Sequence, residues 1–181
     1  VPLAEGAPLL ARFAGVGRRF QLRGERDGVT FVDDYAHLPS EVAAAVAAAR
    51  AGLRGPNAAA GLRGPNAAAG SWRRVVCVFQ PHRYSRTSAL WQDFDHSFDG
   101  VDVLAVTDIY AADEAPRPGV TGKLVLEAAL DAGFRGRSAW LPTRPALVAY
   151  LRRELRPGDL CLTLGAGDLT TLPDDLLSAA V

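Results

Sequence analysis

Short apolar segments alternate with amphipathic ones along most of this 181-residue chain. The runs at Val75–Phe79, Val101–Val106 and Leu160–Leu164 are almost entirely apolar, as is typical of strands that helices cover on both faces. Because parallel strands need a crossover connection, strands separated by helical segments predict βαβ units. We therefore predict a doubly wound, Rossmann-like α/β fold, in which a mostly parallel sheet carries helices on both faces.

A β-hairpin is predicted ahead of the alternating part, from Arg18–Leu22 and Val29–Val32 with a polar stretch between them. Ser40 is predicted to cap a helix over Glu41–Arg50. The other predicted elements are, in chain order, the strand Val75–Phe79, a helix Ser88–Phe98, the strand Val101–Val106, a helix Gly122–Ala132, the strand Ser138–Leu141, a helix Ala146–Leu155, the strand Leu160–Leu164 and a weak helix Leu169–Leu177.

Charge and composition exclude several classes of protein. Twenty basic and twenty acidic residues leave no net charge, so no global field favours nucleic acid or an anionic membrane. No apolar run approaches the roughly 18 residues of a spanning helix, and no signal-peptide layout is present. Cys77 and Cys161 lie in apolar runs, which favours buried thiols in a reducing compartment over a disulfide or metal site. We therefore expect a cytoplasmic protein that binds neither nucleic acid nor membrane and has no metal ligands.

One nonapeptide occurs twice in succession. Gly52–Ala60 and Gly61–Ala69 both read GLRGPNAAA. Two copies of nine residues, each broken by Gly-Pro, are too short for a solenoid. We therefore expect a single domain over residues 1–181, with a disordered insertion at 52–70 that carries no function.

The stretch Phe79–Thr87 places charged and polar side chains directly after a predicted buried strand. Arg83 and Arg86 are three residues apart, so on one turn of helix they would point the same way and grip one carboxylate or phosphate. His82 lies beside them. The alternative is an ordinary strand-to-helix loop with solvated arginines, and composition alone leaves both interpretations open.

Two other strand ends carry groups suited to a ligand. In Asp33–Pro39, a carboxylate such as Asp34 can accept ribose hydroxyls and His37 can contact phosphate, although the aspartates can equally cap the next helix. In Gly165–Asp168, backbone N–H groups suit an anion, although a tight turn explains the pattern as well. In folds of this class, ligands bind beyond the carboxyl ends of the strands.

No nucleotide-cleaving motif accompanies these stretches. Lys123 is the single lysine; Gly122 precedes it and Leu124 follows it, whereas a P-loop requires Gly-Lys-Ser/Thr after an earlier glycine. Nucleophile elbows and metal-ligand spacings are also absent from the sequence. The spacing therefore predicts a domain that binds anionic ligands without cleaving a nucleotide by itself.

Taken together, these stretches resemble the C-terminal domain of the Mur ligases. Asp-Tyr-Ala-His-x-Pro is shared across that family, whereas Gln-Pro-His-Arg-Tyr-x-Arg-Thr resembles the L-alanine-adding members and not the ligase that recycles murein tripeptide. The matching stretches follow the family's order and cover nearly the whole chain apart from the duplication: Phe13–Gln21, Asp33–Pro39, Phe79–Thr87, Asp108–Ala112 and Gly165–Asp168.

The resemblance implies one part of a three-domain, ATP-dependent ligase that joins L-alanine to UDP-N-acetylmuramate in peptidoglycan precursor synthesis. A central domain would carry the P-loop and most of the contacts to ATP and Mg²⁺, and a further domain would hold the UDP-sugar. This chain would therefore be inactive alone, with no certain catalytic residue of its own. By matching position, the carboxylate of L-alanine is assigned to His82, Arg83 and Arg86; ATP is assigned to Arg19, Asp34, Tyr35 and His37; and the lining of the closed site is assigned to Gly165, Gly167 and Asp168.

One position departs from the family pattern, because Leu38 replaces a second histidine that this ligase more often has. The departure weakens a phosphate or metal role at position 38 and leaves His37 in place. A function of a different class also remains open: a stand-alone module on the same fold that binds nucleotide or amino acid. An NAD-type dehydrogenase would need a complete glycine fingerprint after the first strand.

Overall fold

The computed structural model describes residues 17–52 and 72–178. The duplicated insertion expected at 52–70 lies outside these residues except for Gly52, as do positions 13–16 of the first matching stretch. The strands are β1 Gln21–Arg26, β2 Val29–Asp34, β3 Arg74–Phe79, β4 Val103–Val106, β5 Arg137–Trp140 and β6 Asp159–Leu164. The α-helices are α1 Pro39–Gly52, α2 Tyr84–Leu90, α3 Lys123–Asp131, α4 Arg144–Glu154 and α5 Leu172–Ser178, and two 3₁₀ helices cover Trp91–Phe94 and Asp168–Thr171.

The six strands form one sheet in the order β1-β2-β6-β3-β4-β5. Only the β1–β2 pair is antiparallel, and the other four pairs are parallel. The chain passes from β2 through α1 to β3 and later inserts β6 between those two strands. The predicted α/β fold with a mostly parallel sheet and an N-terminal hairpin is confirmed.

Each face of the sheet has its own apolar core, as the nearly continuous apolar strands predict. One core joins alternate strand residues such as Val75 and Cys77 to α1 and α3. The other joins Val76 and Cys161 to α4 and α5. Both cysteines are free and buried, and burial raises the pKa of the Cys161 thiol to about 12. Such thiols pack as small apolar groups.

Several predicted element bounds are wrong. The hairpin strands extend to Arg26 and Asp34, because Asp27 and Gly28, both at positive φ, form a two-residue turn that pairs the chain up to its tip. Ser40 does not cap α1, because the helix already begins at Pro39. There the Glu41 carboxylate accepts the backbone N–H of Leu38 at 3.2 Å, the reverse arm of a capping box.

The helix predicted at Ser88–Phe98 begins earlier and is shorter. Helix α2 starts at Tyr84 and ends at Leu90, and a 3₁₀ helix continues to Phe94. Phe94 and Phe98 lie within 5.5 Å of Phe79 between ring centroids. Apolar spacing over Ser88–Phe98 therefore reflects ring packing on β3 rather than a continuous helix. Within the described ranges, no helix is both long enough and apolar enough to cross a membrane.

Candidate functional site

The polar strand ends meet at the point where the strand order reverses. β6 lies between β2 and β3, so the segments after these three strands converge at one edge. They carry Asp34–His37, Gln80–Arg86 and Gly165–Asp168. A parallel bridge between His82 and Tyr110 adds the segment after β4. This arrangement forms the crevice in which doubly wound folds bind ligands.

Asp34 ties the hairpin to this edge. One carboxylate oxygen accepts the Phe20 backbone N–H at 2.6 Å, and the other accepts the Ala36 N–H at 2.8 Å. Its side chain is almost fully buried. Because a carboxylate has about four acceptor positions, two of them remain for a ligand hydroxyl. Asp33 has a structural role, since it is buried and accepts the hydroxyls of Thr163 and Thr170.

Arg18 and Arg19 have different surroundings although they are adjacent. Arg18 donates to the Gly165 carbonyl at 2.5 Å and pairs with Asp33 at 3.4 Å, so it holds the turn after β6. The exposed Arg19 has its guanidinium carbon 5.8 Å from the centre of the Tyr35 ring. The Gly165 N–H donates to the Asp34 carbonyl. Arg19 is therefore the arginine of this pair that is available to an anion.

Four rings form a row across the site. Ring centroids are 5.2 Å apart from Tyr35 to His37, 5.4 Å from His37 to His82 and 5.7 Å from His82 to Tyr110. The last pair is stacked, with 17° between the planes. The row links three loops that are distant in sequence, so it joins the residues assigned to ATP with those assigned to the amino acid.

Arg83 and Arg86 lie beside this row, and they do not share one turn of helix. Arg83 precedes α2 with φ of 69°, whereas Arg86 lies within the helix. The Arg83 N–H donates to the Tyr110 carbonyl at 2.9 Å, and the Arg83 carbonyl accepts the Thr87 N–H and hydroxyl. These bonds stabilise a left-handed conformation that is unfavourable for a non-glycine residue. Backbone strain of this kind is common at functional sites.

Glu114 belongs to the site and was missed by the sequence analysis. Its carboxylate accepts the Ser85 N–H at 2.8 Å and the Ser85 hydroxyl at 2.5 Å, and it lies 3.9 Å from the Arg83 guanidinium. The Ser85 hydroxyl and N–H bonds and the charge of Arg83 lower the pKa of Glu114. The contact spans 29 positions of sequence, so no local spacing indicated it.

Gln80 and Asp168 close the edge beside Tyr110. The Gln80 amide donates to the Asp168 carboxylate at 2.8 Å and accepts the Leu169 N–H at 3.3 Å. These residues line a cleft of about 440 Å³ that extends to Arg144 at the start of α4. Arg144 is already paired with Asp175 at 2.9 Å. The cleft is therefore lined by the paired guanidinium of Arg144 and by Tyr110 of the ring row.

Gly167 allows the turn after β6 to approach Tyr110 and Gln80. A Cβ at this position would overlap the Tyr110 ring and lie 2.7 Å from the Gln80 amide oxygen. We expect Gly167→Ala to lower the free energy of unfolding by about 1–3 kcal/mol, as overpacking does, and to shift the Tyr110 and His82 NMR resonances. Gly17→Ala is the control for urea denaturation, because nothing lies within 4 Å of its Cβ position. Unchanged Tyr110 and His82 resonances in Gly167→Ala would contradict the expectation.

The structure brings together all the residues that the sequence analysis assigned to ligands, whereas their individual ligand roles stay predictions. Within the two described ranges, no group of three or more His, Cys, Asp or Glu side chains is arranged to hold a metal ion. The site therefore offers arginines, imidazoles and backbone groups to an anionic ligand.

Comparison with known proteins agrees with this geometry. The family profile described as "Mur ligase, glutamate ligase domain" matches residues 18–167. A UDP-N-acetylmuramate–L-alanine ligase of Anaeromyxobacter sp. (strain Fw109-5) is 46% identical over 177 residues, which cover 98% of this chain and 34% of that protein. This chain thus spans about a third of the length of that relative.

Two solved structures share the fold. The UDP-N-acetylmuramate-alanine ligase of Thermotoga maritima superposes with a TM-score of 0.70 at 22% identity, over 98% of this chain and 33% of that one. A bifunctional folylpolyglutamate synthase/dihydrofolate synthase of Yersinia pestis, complexed with AMPPNP and a Mn ion, gives 0.54 at 16% identity, over 99% and 40%. The family resemblance predicted from the sequence is confirmed, and the chain belongs to the Mur ligase family as its C-terminal domain.

Proposed function

We propose that this chain is the amino-acid-binding domain of an ATP-dependent ligase that joins L-alanine to UDP-N-acetylmuramate. The observation that carries the proposal is the pair Arg83 and Arg86 beside His82 at the carboxyl end of β3, in a chain 46% identical to a ligase of that name. Arginine forks bind carboxylates by charge-assisted hydrogen bonds. The amino acid's carboxylate is the group these arginines would hold.

ATP is proposed to bind beside Tyr35 and His37, at the other end of the ring row. Arg19 carries an exposed guanidinium there, His37 lies two residues before α1, and Asp34 retains acceptor positions for ribose hydroxyls. The apolar face of Tyr35 packs beside both arginines of the hairpin. By the family resemblance, a central domain outside this chain would carry most of the contacts to Mg²⁺.

The turn Gly165–Asp168 is proposed to line the closed site. The family reaction forms an acyl phosphate from the muramate carboxylate and ATP; the amine of L-alanine then attacks it, and phosphate leaves as the amide forms. In that reaction, this domain would bind and orient the amino acid and exclude water from the acyl phosphate. We therefore expect the chain alone to form no amide. A cytoplasmic location would supply ATP and the UDP-sugar.

Reconstitution tests the proposal. The chain, mixed with or fused to the upstream domains of its own reading frame, is assayed for phosphate release with ATP, Mg²⁺, UDP-N-acetylmuramate and L-alanine. We expect release that requires every component, and none from the chain alone. L-glutamate in place of L-alanine is the control, because it tests whether the site takes another amino acid.

Two outcomes would overturn the proposal. Release with L-glutamate and not with L-alanine would assign a different substrate. No release by a folded chain that still binds L-alanine or ATP in calorimetry would favour the stand-alone binding module. A reading frame that begins just before Val1, with no neighbouring gene encoding a P-loop, would favour the same alternative.

A further inference from the structure

His82 lies between the two groups of ligand-binding residues, and its ring nitrogen contacts an arginine. The distance from Arg86 Nη1 to His82 Nδ1 is 3.0 Å. A guanidinium has donors and no acceptor. The hydrogen bond therefore requires an unprotonated Nδ1 on His82, so the ring is neutral and carries its proton on Nε2.

The neighbouring histidine, His37, has a proton on Nδ1. His37 Nδ1 lies 3.0 Å from the Tyr35 carbonyl oxygen and 3.4 Å from the Glu41 carboxylate. Both partners are acceptors, so His37 must carry a proton on Nδ1. Two histidines 5.4 Å apart are thus fixed in different protonation patterns by their own loops.

Two rings contact the His82 ring. The Tyr110 ring is stacked with it at 17° between the planes, and His37 contacts it in a T-shaped arrangement. These contacts restrict the ring while its Nδ1 accepts from Arg86. Among the described residues, Arg86 makes no other hydrogen bond or ion pair, so His82 Nδ1 orients its guanidinium.

The charges around His82 oppose its protonation. Burial lowers the pKa of His82 below its ordinary value of 6.5, and the charges of His37, Arg86 and Arg83 lower that pKa further. Glu114 is the opposing group, since its carboxylate raises the pKa of His82. A proton on His82 Nδ1 would place an imidazolium against the Arg86 guanidinium and remove the acceptor of their hydrogen bond.

We propose that neutral His82 is a positioning residue: its Nδ1 holds Arg86 in the orientation that receives the amino acid's carboxylate, and one proton on Nδ1 releases Arg86. The identity of the ligand rests on the proposed function, whereas the contact between His82 and Arg86 does not depend on it. It changes the role assigned to His82 from direct contact with L-alanine to orientation of the arginine that makes the contact.

NMR of the 181-residue chain tests the geometry without any ligand. The chain has three histidines, so the ring signals of His82 and His37 can be assigned with few alternatives. Two-bond ¹H–¹⁵N correlations should show His82 as the Nε2–H tautomer and His37 with Nδ1 protonated. His82 should titrate below the ordinary histidine value of 6.5, and Arg86→Gln should raise the pKa of His82 by removing a positive charge.

Two variants test the consequence in the reconstituted ligase. His82→Asn keeps an acceptor near the Nδ1 position and cannot titrate, whereas His82→Phe keeps the ring on Tyr110 and has no acceptor. We expect His82→Phe to raise the L-alanine KM by tenfold or more with kcat little changed, as loss of a hydrogen bond to a charged group does. His82→Asn should stay within threefold of wild type, and its KM should not rise at the low pH at which His82 of the wild type becomes protonated.

The outcomes separate this inference from the proposed function. An Nδ1–H tautomer for His82, or equal KM values in the Asn and Phe variants, would overturn the positioning role. A wild-type KM for L-alanine that stays unchanged at a pH where the NMR titration shows His82 to be protonated would do the same. If the chain shows the predicted ring protonation but never supports alanine ligation, the His82–Arg86 contact is established and the proposed ligase function is rejected.

Discussion

Arg74→Ala is expected to lower the free energy of unfolding by about 3–5 kcal/mol, the cost of breaking a buried ion pair from one side. Arg74 lies at the start of β3, at the edge of the sheet opposite the ligand site. Its guanidinium donates to the Glu154 carboxylate at 2.9 Å and to the Asp159 carboxylate at 2.7 Å. Both carboxylates are almost fully buried, so removing the arginine leaves two negative charges without their main partner.

Urea denaturation of the chain measures this effect. The control is Arg152→Ala, which removes the same charge from an exposed position of α4 and should change stability by no more than about 0.5 kcal/mol. The side chain of Arg74 is 23% exposed, and Arg137 also reaches Glu154 at 3.3 Å. A loss below 1 kcal/mol would mean that Arg137 and water compensate the two carboxylates.

Arg83→Ala is expected to raise the L-alanine KM of the reconstituted ligase by about 10- to 150-fold, with a smaller change in kcat. Each hydrogen bond to a charged group contributes about 1.5–3 kcal/mol, which corresponds to that range. The Arg83 side chain is 47% exposed and faces Glu114, so it is accessible to a ligand. Arg83→Lys should recover only part of the loss, because an ammonium lacks the planar fork.

Arg117→Ala is the matched control for Arg83→Ala. Arg117 is an exposed arginine of the same loop as Glu114, and its charge also lowers the pKa of that carboxylate. Its removal changes the local charge equally without touching α2. A KM increase of similar size in both variants would attribute the effect to general electrostatics, and it would reject a direct contact between Arg83 and the carboxylate.

The fold could be predicted from the sequence because its signals are local and periodic. Val75–Phe79 and Leu160–Leu164 had to be strands covered on both faces, since continuous apolar runs of this length satisfy both cores at once. Element ends were less accurate. Whether α2 begins at Tyr84 or Ser88 depends on Glu114, which accepts the Ser85 N–H from another loop.

The candidate site was predicted in part. Motif resemblance identified Arg83, Arg86 and His82, and strand ends located them at one edge of the sheet. The structure places Arg83 before α2 at positive φ and Arg86 within the helix, so spacing in sequence did not determine how the two arginines are arranged. ATP was assigned to Arg19, and the structure shows in addition that contacts to Gly165 and Asp33 hold Arg18.

The sequence by itself determined the α/β class, the parallel strands and the family, because these follow from apolar periodicity and from motifs read along the chain. Only the tertiary structure decided which carboxylates are structural and which side chains surround the two histidine rings. Those properties depend on hydrogen-bond partners such as Glu114 for Ser85 and Arg86 for His82. The strand order brings the separate loops together, and atomic distances then decide which groups donate and which accept.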